Sequence, residues 1–192
     1  MTSRFVLLGV ALLIAEPILA IDCGGEAQPC KIATGEYHIA VPEGWQGGSA
    51  IMHLHAYGSS GAKVLGNRDF MDRAMERGYA VIAPTALPWH ENKPNDWAVR
   101  DGWLTYPRSD IGFLRDVLAD ASVRAGVDPE RVLLTGFSRG GSMVWDVACL
   151  APDLARAYAP VSGGFWLPMT EECMGPVHLL HTCLTSAPVG QI

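Results

Sequence analysis

The sequence predicts an α/β fold, with a mostly parallel sheet covered by helices on both faces. Two observations carry that expectation. Short apolar and β-branched runs bounded by Gly, Pro and Ser alternate along the chain with segments of helical periodicity. A Gly-x-Ser-x-Gly pentad, Gly136 to Gly140, stands where one such run passes into a helical pattern. No internal repeat, low-complexity tract or charge block divides the 192 residues, so one domain is expected over residues 21–192.

The first twenty residues read as a targeting segment. Arg4 precedes "FVLLGVALLIA" and then "EPILA", the order of charge, short apolar run and small residue of a secretory signal, with cleavage expected after Ala20. The run falls short of the ~20 residues of a membrane span, and Glu16 and Pro17 interrupt it. No membrane anchor is therefore expected once the signal is removed. A net charge of −6 argues against a nucleic-acid surface, which needs clustered Lys and Arg.

Export bears on the five cysteines, because disulfides persist in oxidising compartments. Cys23 and Cys30 bound the short loop "CGGEAQPC" and are expected to pair. A second bridge would join Cys149, in the helical pattern after the pentad, to Cys173 in "TEECMGP". Cys183 is then left over, and the simplest place for it is a buried thiol. Neither C-x-x-C nor H-E-x-x-H spacing occurs, so no metal is expected.

In chain order, "EYHIAVP" alternates apolar and polar residues like an edge strand ending at Pro42. "SAIMHLHAY" is a buried strand, and "RDFMDRAMERG" is a helix stopped by Gly78. "YAVIAPTA" is the next strand, followed by a long loop that holds Trp89, His90, Trp97 and Trp103. "SDIGFLRDVLADASVRAG" opens on a Ser/Asp cap, with Asp110 expected in the capping role and Ile111, Leu114, Val117, Leu118 and Ala121 at helical spacing. "GVDPERV" is a turn into the strand "RVLLTGF", and "ARAYAPVSG" and "PVHLLHT" are the remaining strands.

Between "RVLLT" and "GGSMVWDVACL" the pentad reads as a nucleophile elbow. Strand and helix meet there so sharply that side chains at Gly136 and Gly140 would collide, and Ser138 is held in a strained conformation. Gly141 extends the close approach. Acyl transfer also needs donors for a developing oxyanion, each worth ~3 kcal/mol of barrier. The backbone N–H of Arg139 is one candidate and that of Tyr57, in "HLHAYGSSG", the other. His53 and His55 alternate within their strand and read as packing or hydrogen bonding in the sheet, and the Arg139 side chain as solvated surface.

Several blocks carry a family resemblance: "HLHAYGSSG", "ERGYAVIAPTALPWHENKPNDWAVRDG", "VDPERVLLTGFSRGGSMVWDVACLAPDLARAYAPVSGGFW" and "GPVHLLHT". From about Cys23 to Thr182 the chain resembles the secreted polyhydroxybutyrate depolymerase and feruloyl esterase group of α/β hydrolases. The resemblance implies an α/β-hydrolase fold and a serine esterase without a cofactor. Its substrates would be esters of hydroxyalkanoate polymers or oligomers, or feruloylated sugars. Ser138 would be the nucleophile, with the Tyr57 and Arg139 amides as oxyanion donors. Trp89, Trp97 and Trp166 are candidates to line the acyl pocket.

Two features depart from that pattern. The family usually has Gly where this chain has Ala56; if the position requires positive φ, Ala costs roughly 1 kcal/mol there. The fold also supplies an acid and then a histidine after the nucleophile, yet neither follows Thr182. Asp146 and Asp153 are expected to point away from the site, and His181 is a weak stand-in without a matching acid. The expectation is a chain truncated near Thr182, lacking the last strand and helix of the fold, with Cys183 in an out-of-frame tail. The functions to weigh are an esterase acting through an acyl-enzyme on Ser138 and an inactive remnant or binding module, with a peptidase on the same fold as a third.

Overall fold

The computed structural model describes residues 23–99, 105–166 and 172–183. The expected signal, Trp103 and Glu171 lie outside the described residues. The described chain forms a six-stranded sheet in the order β1-β2-β4-β3-β5-β6. β1 (Cys30–Ile32) and β2 (Gly35–Ala40) run antiparallel to their neighbours. β3 (Gly48–Leu54), β4 (Ala80–Pro84), β5 (Val127–Phe137) and β6 (Ala157–Val161) pair in parallel.

The alternation of each strand divides its residues between two cores. Ala50, Met52 and Leu54 of β3, Val132 and Leu134 of β5 and Tyr158 of β6 point to one face. There α3 (Asp110–Ala125) and α4 (Arg139–Leu150) bring Phe113, Leu114, Val117, Ala121, Met143, Val144 and Val147 onto them. On the other face Val81 and Ala83 of β4 pack against Val64, Leu65, Met71 and Ala74 of α1 (Gly61–Leu65) and α2 (Arg68–Glu76). Burying side chains of this size stabilises the fold by about 1.5–3 kcal/mol each.

Helix ends follow local chemistry. The Ser109 side chain accepts from Gly112 N–H as the N-cap of α3, and Gly126 ends the helix at φ 66°, a left-handed conformation that suits a residue without Cβ. Asp110 is not the cap. It turns inward, taking the Arg108 guanidinium at 2.7 Å and the Ala98 N–H at 2.7 Å. Arg108 also donates to the carbonyls of Thr34 and Thr85, which pins the loop between β4 and α3 to the sheet.

Several elements differ from the sequence expectations. β2 is not an edge, because the three-residue β1, too short to show a period, folds back onto it with Cys30 opposite Tyr37. Helix α1, five residues long, is invisible to periodicity for the same reason. The expected turn "GVDPERV" lies inside β5: its register with β3 slips between Gly48 and Ala50, and Asp128 accepts from Glu130 N–H in a local turn. Segment 178–182 is not a regular strand. It makes four backbone hydrogen bonds to the 158–162 stretch, with Leu179 and Thr182 forming isolated parallel bridges. Val177 and Leu179 pack inward and Leu180 is exposed, as on a strand paired along one side only.

Two disulfides join Cys23 to Cys30 and Cys149 to Cys173. The second ties the stretch leading into segment 178–182 to the end of α4, and Met174 N–H donates to Cys149 O beside it. Cys183 is exposed, so the expectation of a buried thiol does not hold. No described helix is long and apolar enough to cross a membrane. Because Cys149–Cys173 closes a loop of 24 residues, Cys149→Ser with Cys173→Ser is expected to cost about 3 kcal/mol in denaturant-induced unfolding. A midpoint unchanged from wild type would show that the bridge contributes nothing to stability.

Candidate active site

Ser138 sits between β5 and α4 at φ 54° and ψ −116°, one of three described non-glycine residues with positive φ. Such a backbone costs of order 1–3 kcal/mol and persists only where neighbours force it. Here the neighbours are close. The Ser138 N–H donates to Val161 O at 2.9 Å, and a Cβ on Gly140 would run into the carbonyl oxygens of Leu54 and His55. Only glycine lets α4 begin this near to β3. Ala56, by contrast, is not among the described residues with positive φ, so the alanine there carries no left-handed strain.

The elbow opens into a cavity of about 490 Å³ lined by Ser138, Arg139, Tyr57, Ser142, Ser162 and Asp96, with Trp89 and Trp166 at its aromatic walls. Tyr57 and Arg139 both line the cavity, and neither backbone N–H donates to an acceptor among the described residues. Both stand three residues past the last pair of the β3–β5 ladder, Leu54 and Gly136. Acyl transfer needs backbone donors of this kind for its developing oxyanion.

The Arg139 side chain is not solvated surface. It is only 7% exposed and forms a buried pair with Asp96, Nε to Oδ1 at 2.6 Å and Nη2 to Oδ2 at 3.1 Å. The same Nη2 donates to the Tyr106 hydroxyl at 2.7 Å. Trp166 lies on the guanidinium at 4.2 Å, and its indole N–H donates to Ser142 Oγ at 3.1 Å. With one face on Arg139 and its edge held, the half-exposed indole is a fixed wall of the cavity.

Of the three expected pocket tryptophans, Trp89 and Trp166 line the cavity and Trp97 does not. Trp97 is fully buried, its ring tilted against His55 at 4.9 Å and its indole N–H donating to His55 O at 2.8 Å, so it fastens the loop to the stretch after β3. Asp96, Ser142, Ser162 and Tyr106 were not singled out in the sequence. They come from a long loop, a helix and a strand end, and no spacing rule joins such positions.

No histidine lines the cavity among the described residues. His181 packs edge-on against Trp145 at 5.4 Å, with Cys183 Sγ 3.5 Å from its Nε2. Asp153 is held on the surface by Arg115, and Asp146 is buried in α4 away from the cavity lining. Burial pushes the imidazoles of His53 and His55 down to about 4. Among the described residues no group of three or more His, Cys, Asp or Glu is placed to hold a metal ion.

No family model matches the chain. Feruloyl esterase D of Neurospora crassa is 28% identical over 134 residues, covering 66% of this chain and 44% of the relative. Poly(3-hydroxyalkanoate) depolymerase C of Paucimonas lemoignei is 27% identical over 199 residues, covering 95% of this chain and 45% of the relative. The chain thus spans less than half the length of these two relatives. Among solved structures, esterase PE8 superimposes with a TM-score of 0.53 at 24% identity, covering 77% of this chain and 73% of that one. The likeness shows the α/β-hydrolase fold.

His55 is 1% exposed and neutral when folded, so the unfolded chain takes up its proton first. Its contribution is intact above pH 6.5 and is lost as the pH falls towards 4, by about 3 kcal/mol in full. Unfolding measured from pH 7.5 to 4 should lose stability through that window, and His55→Asn should flatten the decline. Identical pH slopes for the two proteins would exclude His55 as its source.

Proposed function

We propose that this chain, an α/β-hydrolase fold similar to feruloyl esterase and poly(3-hydroxyalkanoate) depolymerase sequences, is a serine esterase. The observation that carries the reading is the strained Ser138 in one cavity with two acceptor-free backbone amides. Ser138 Oγ attacks the ester carbonyl while its proton passes to a general base and from there to the departing alcohol oxygen, a role that no histidine among the described residues lining the cavity fills. The carbonyl oxygen takes up negative charge between the Tyr57 and Arg139 amides. Collapse of the tetrahedral intermediate expels the alcohol and leaves an acyl-enzyme, which water hydrolyses by the same steps in reverse order. The acyl group lies against Trp166 and Trp89, and the substrates are hydroxyalkanoate or feruloyl-type esters.

Export is part of the same proposal. The apolar N-terminal segment reads as a signal, and two disulfides suit an oxidising compartment. Residues 21–192 then act as one domain.

A second reading is favoured by one observation: no histidine among the described residues lines the cavity. On that reading the chain binds esters without turning them over. Hydrolysis of p-nitrophenyl butyrate by the purified chain and by Ser138→Ala separates the two. The esterase reading expects Ser138→Ala to lower the rate by at least about 10³-fold, since nucleophile and base act as a unit. Equal rates would assign Ser138 no catalytic role and leave the binding reading standing.

A further inference from the structure

We propose that His55 is a positioning residue for the oxyanion hole, gripping the Ala56–Tyr57 peptide by its carbonyl and so aiming the Tyr57 N–H at the reacting oxygen. The proposal rests on the assignment of Tyr57 N–H as an oxyanion donor.

The tautomer follows from the partners. Ala86 N–H donates to His55 Nε2 at 3.0 Å, and a backbone amide can only donate, so Nε2 is the lone-pair nitrogen. The neutral ring then carries its hydrogen on Nδ1, which lies 2.8 Å from Ala56 O and donates to it. That oxygen belongs to the same peptide unit as the Tyr57 N–H. In a trans peptide the two dipoles point in opposite directions, so fixing the carbonyl fixes the amide. Ser59 N–H donates to the same Ala56 O at 3.1 Å, leaving the unit little freedom to rotate.

The ring is itself held in place. The Trp97 ring packs against it at a tilt and donates to His55 O, while Ala86 N–H ties Nε2 to the strand end after β4. Burial keeps the imidazole neutral at physiological pH, as the Ala86 bond requires. Polarising the carbonyl also strengthens the N–H as a donor, because hydrogen bonds in a chain reinforce one another.

Two substitutions divide the roles of the ring. An Asn amide at position 55 places its nitrogen near the Nδ1 position and can still donate to Ala56 O, but it abandons Ala86. A Gln amide reaches the Nε2 position and accepts from Ala86 N–H, but it leaves Ala56 O. The rate of Ser138 phosphonylation by a fluorophosphonate, whose phosphonyl oxygen occupies the oxyanion site, is measured for wild type, His55→Asn and His55→Gln, together with their thermal midpoints. His55→Gln is expected to react about 10- to 100-fold more slowly and His55→Asn within about 5-fold of wild type, even where their midpoints fall alike. Equal losses in both variants, tracking stability, would overturn the proposal.

Absence of Ser138-dependent labelling in the wild type would sink the esterase reading, and His55 would then be judged by NMR. A long-range ¹H–¹⁵N spectrum of the wild type is expected to show the proton on Nδ1. The Tyr57 amide resonance is expected to move in His55→Gln and to hold its position in His55→Asn. A proton on Nε2, or a Tyr57 resonance indifferent to both substitutions, overturns the hold on that peptide whatever the turnover. The tautomer is read on the unaltered chain, so a variant that fails to fold leaves the proposal open to disproof.

Discussion

The parallel ladder between β3 and β5 is the constraint on which the site depends. Its register sets Met52 opposite Leu134 and Leu54 opposite Gly136, the last pair the two strands form, while β5 runs one residue further with Phe137 beside Val161 of β6. Neighbouring strands lie about 4.8 Å apart, so the stretches that follow a matched pair begin at a separation that no side chain has to enforce. Tyr57 and Arg139 are each the third residue beyond it. A slip of one residue in either strand would break this symmetry and also turn that strand's own residues, Met52 and Leu54 of β3 or Leu134 of β5, out of the core. The apolar packing that stabilises the sheet therefore also sets the geometry of the two amides.

What the ladder leaves free is fixed by buried polar groups drawn from one loop. Residues 86 to 98 contribute Ala86 N–H to His55, the Trp97 ring to the same imidazole, and Asp96 to Arg139. Arg108 and Asp110 secure the loop where it enters α3, the guanidinium reaching back to Thr34 and Thr85. Together they hold the Tyr57 side and the Arg139 side of the site against one structural element.

The elements that repeat a pattern were legible in the sequence, and so was the elbow. The runs behind β3, β4 and β6 are apolar and bounded by breakers, and α3 shows its cap and its stripe. Ser138 stood out because glycine is needed on both sides for a steric reason that is local to the chain. Asp96 did not stand out, because its meaning comes from a guanidinium 43 residues away. Trp97 and Arg139 were misread for the same reason. A tryptophan in a long loop looks like pocket wall and an arginine after a serine looks solvent-facing until the fold puts His55 against the one and Asp96 against the other. His53 in β3 and His55 just after it read as sheet packing; that His55 holds the peptide after its own became visible only with the Ala86 contact.

The Arg139–Asp96 pair also shapes which relatives of this chain can exist. Losing either member strands the other's charge in a site almost closed to water, at about 3–5 kcal/mol, a large share of a small domain's stability. Drift at one position is therefore closed off unless the other changes with it. The two positions, far apart in the chain, should vary as a couple, so that descent itself would record the cavity wall as a correlation between two columns of aligned relatives.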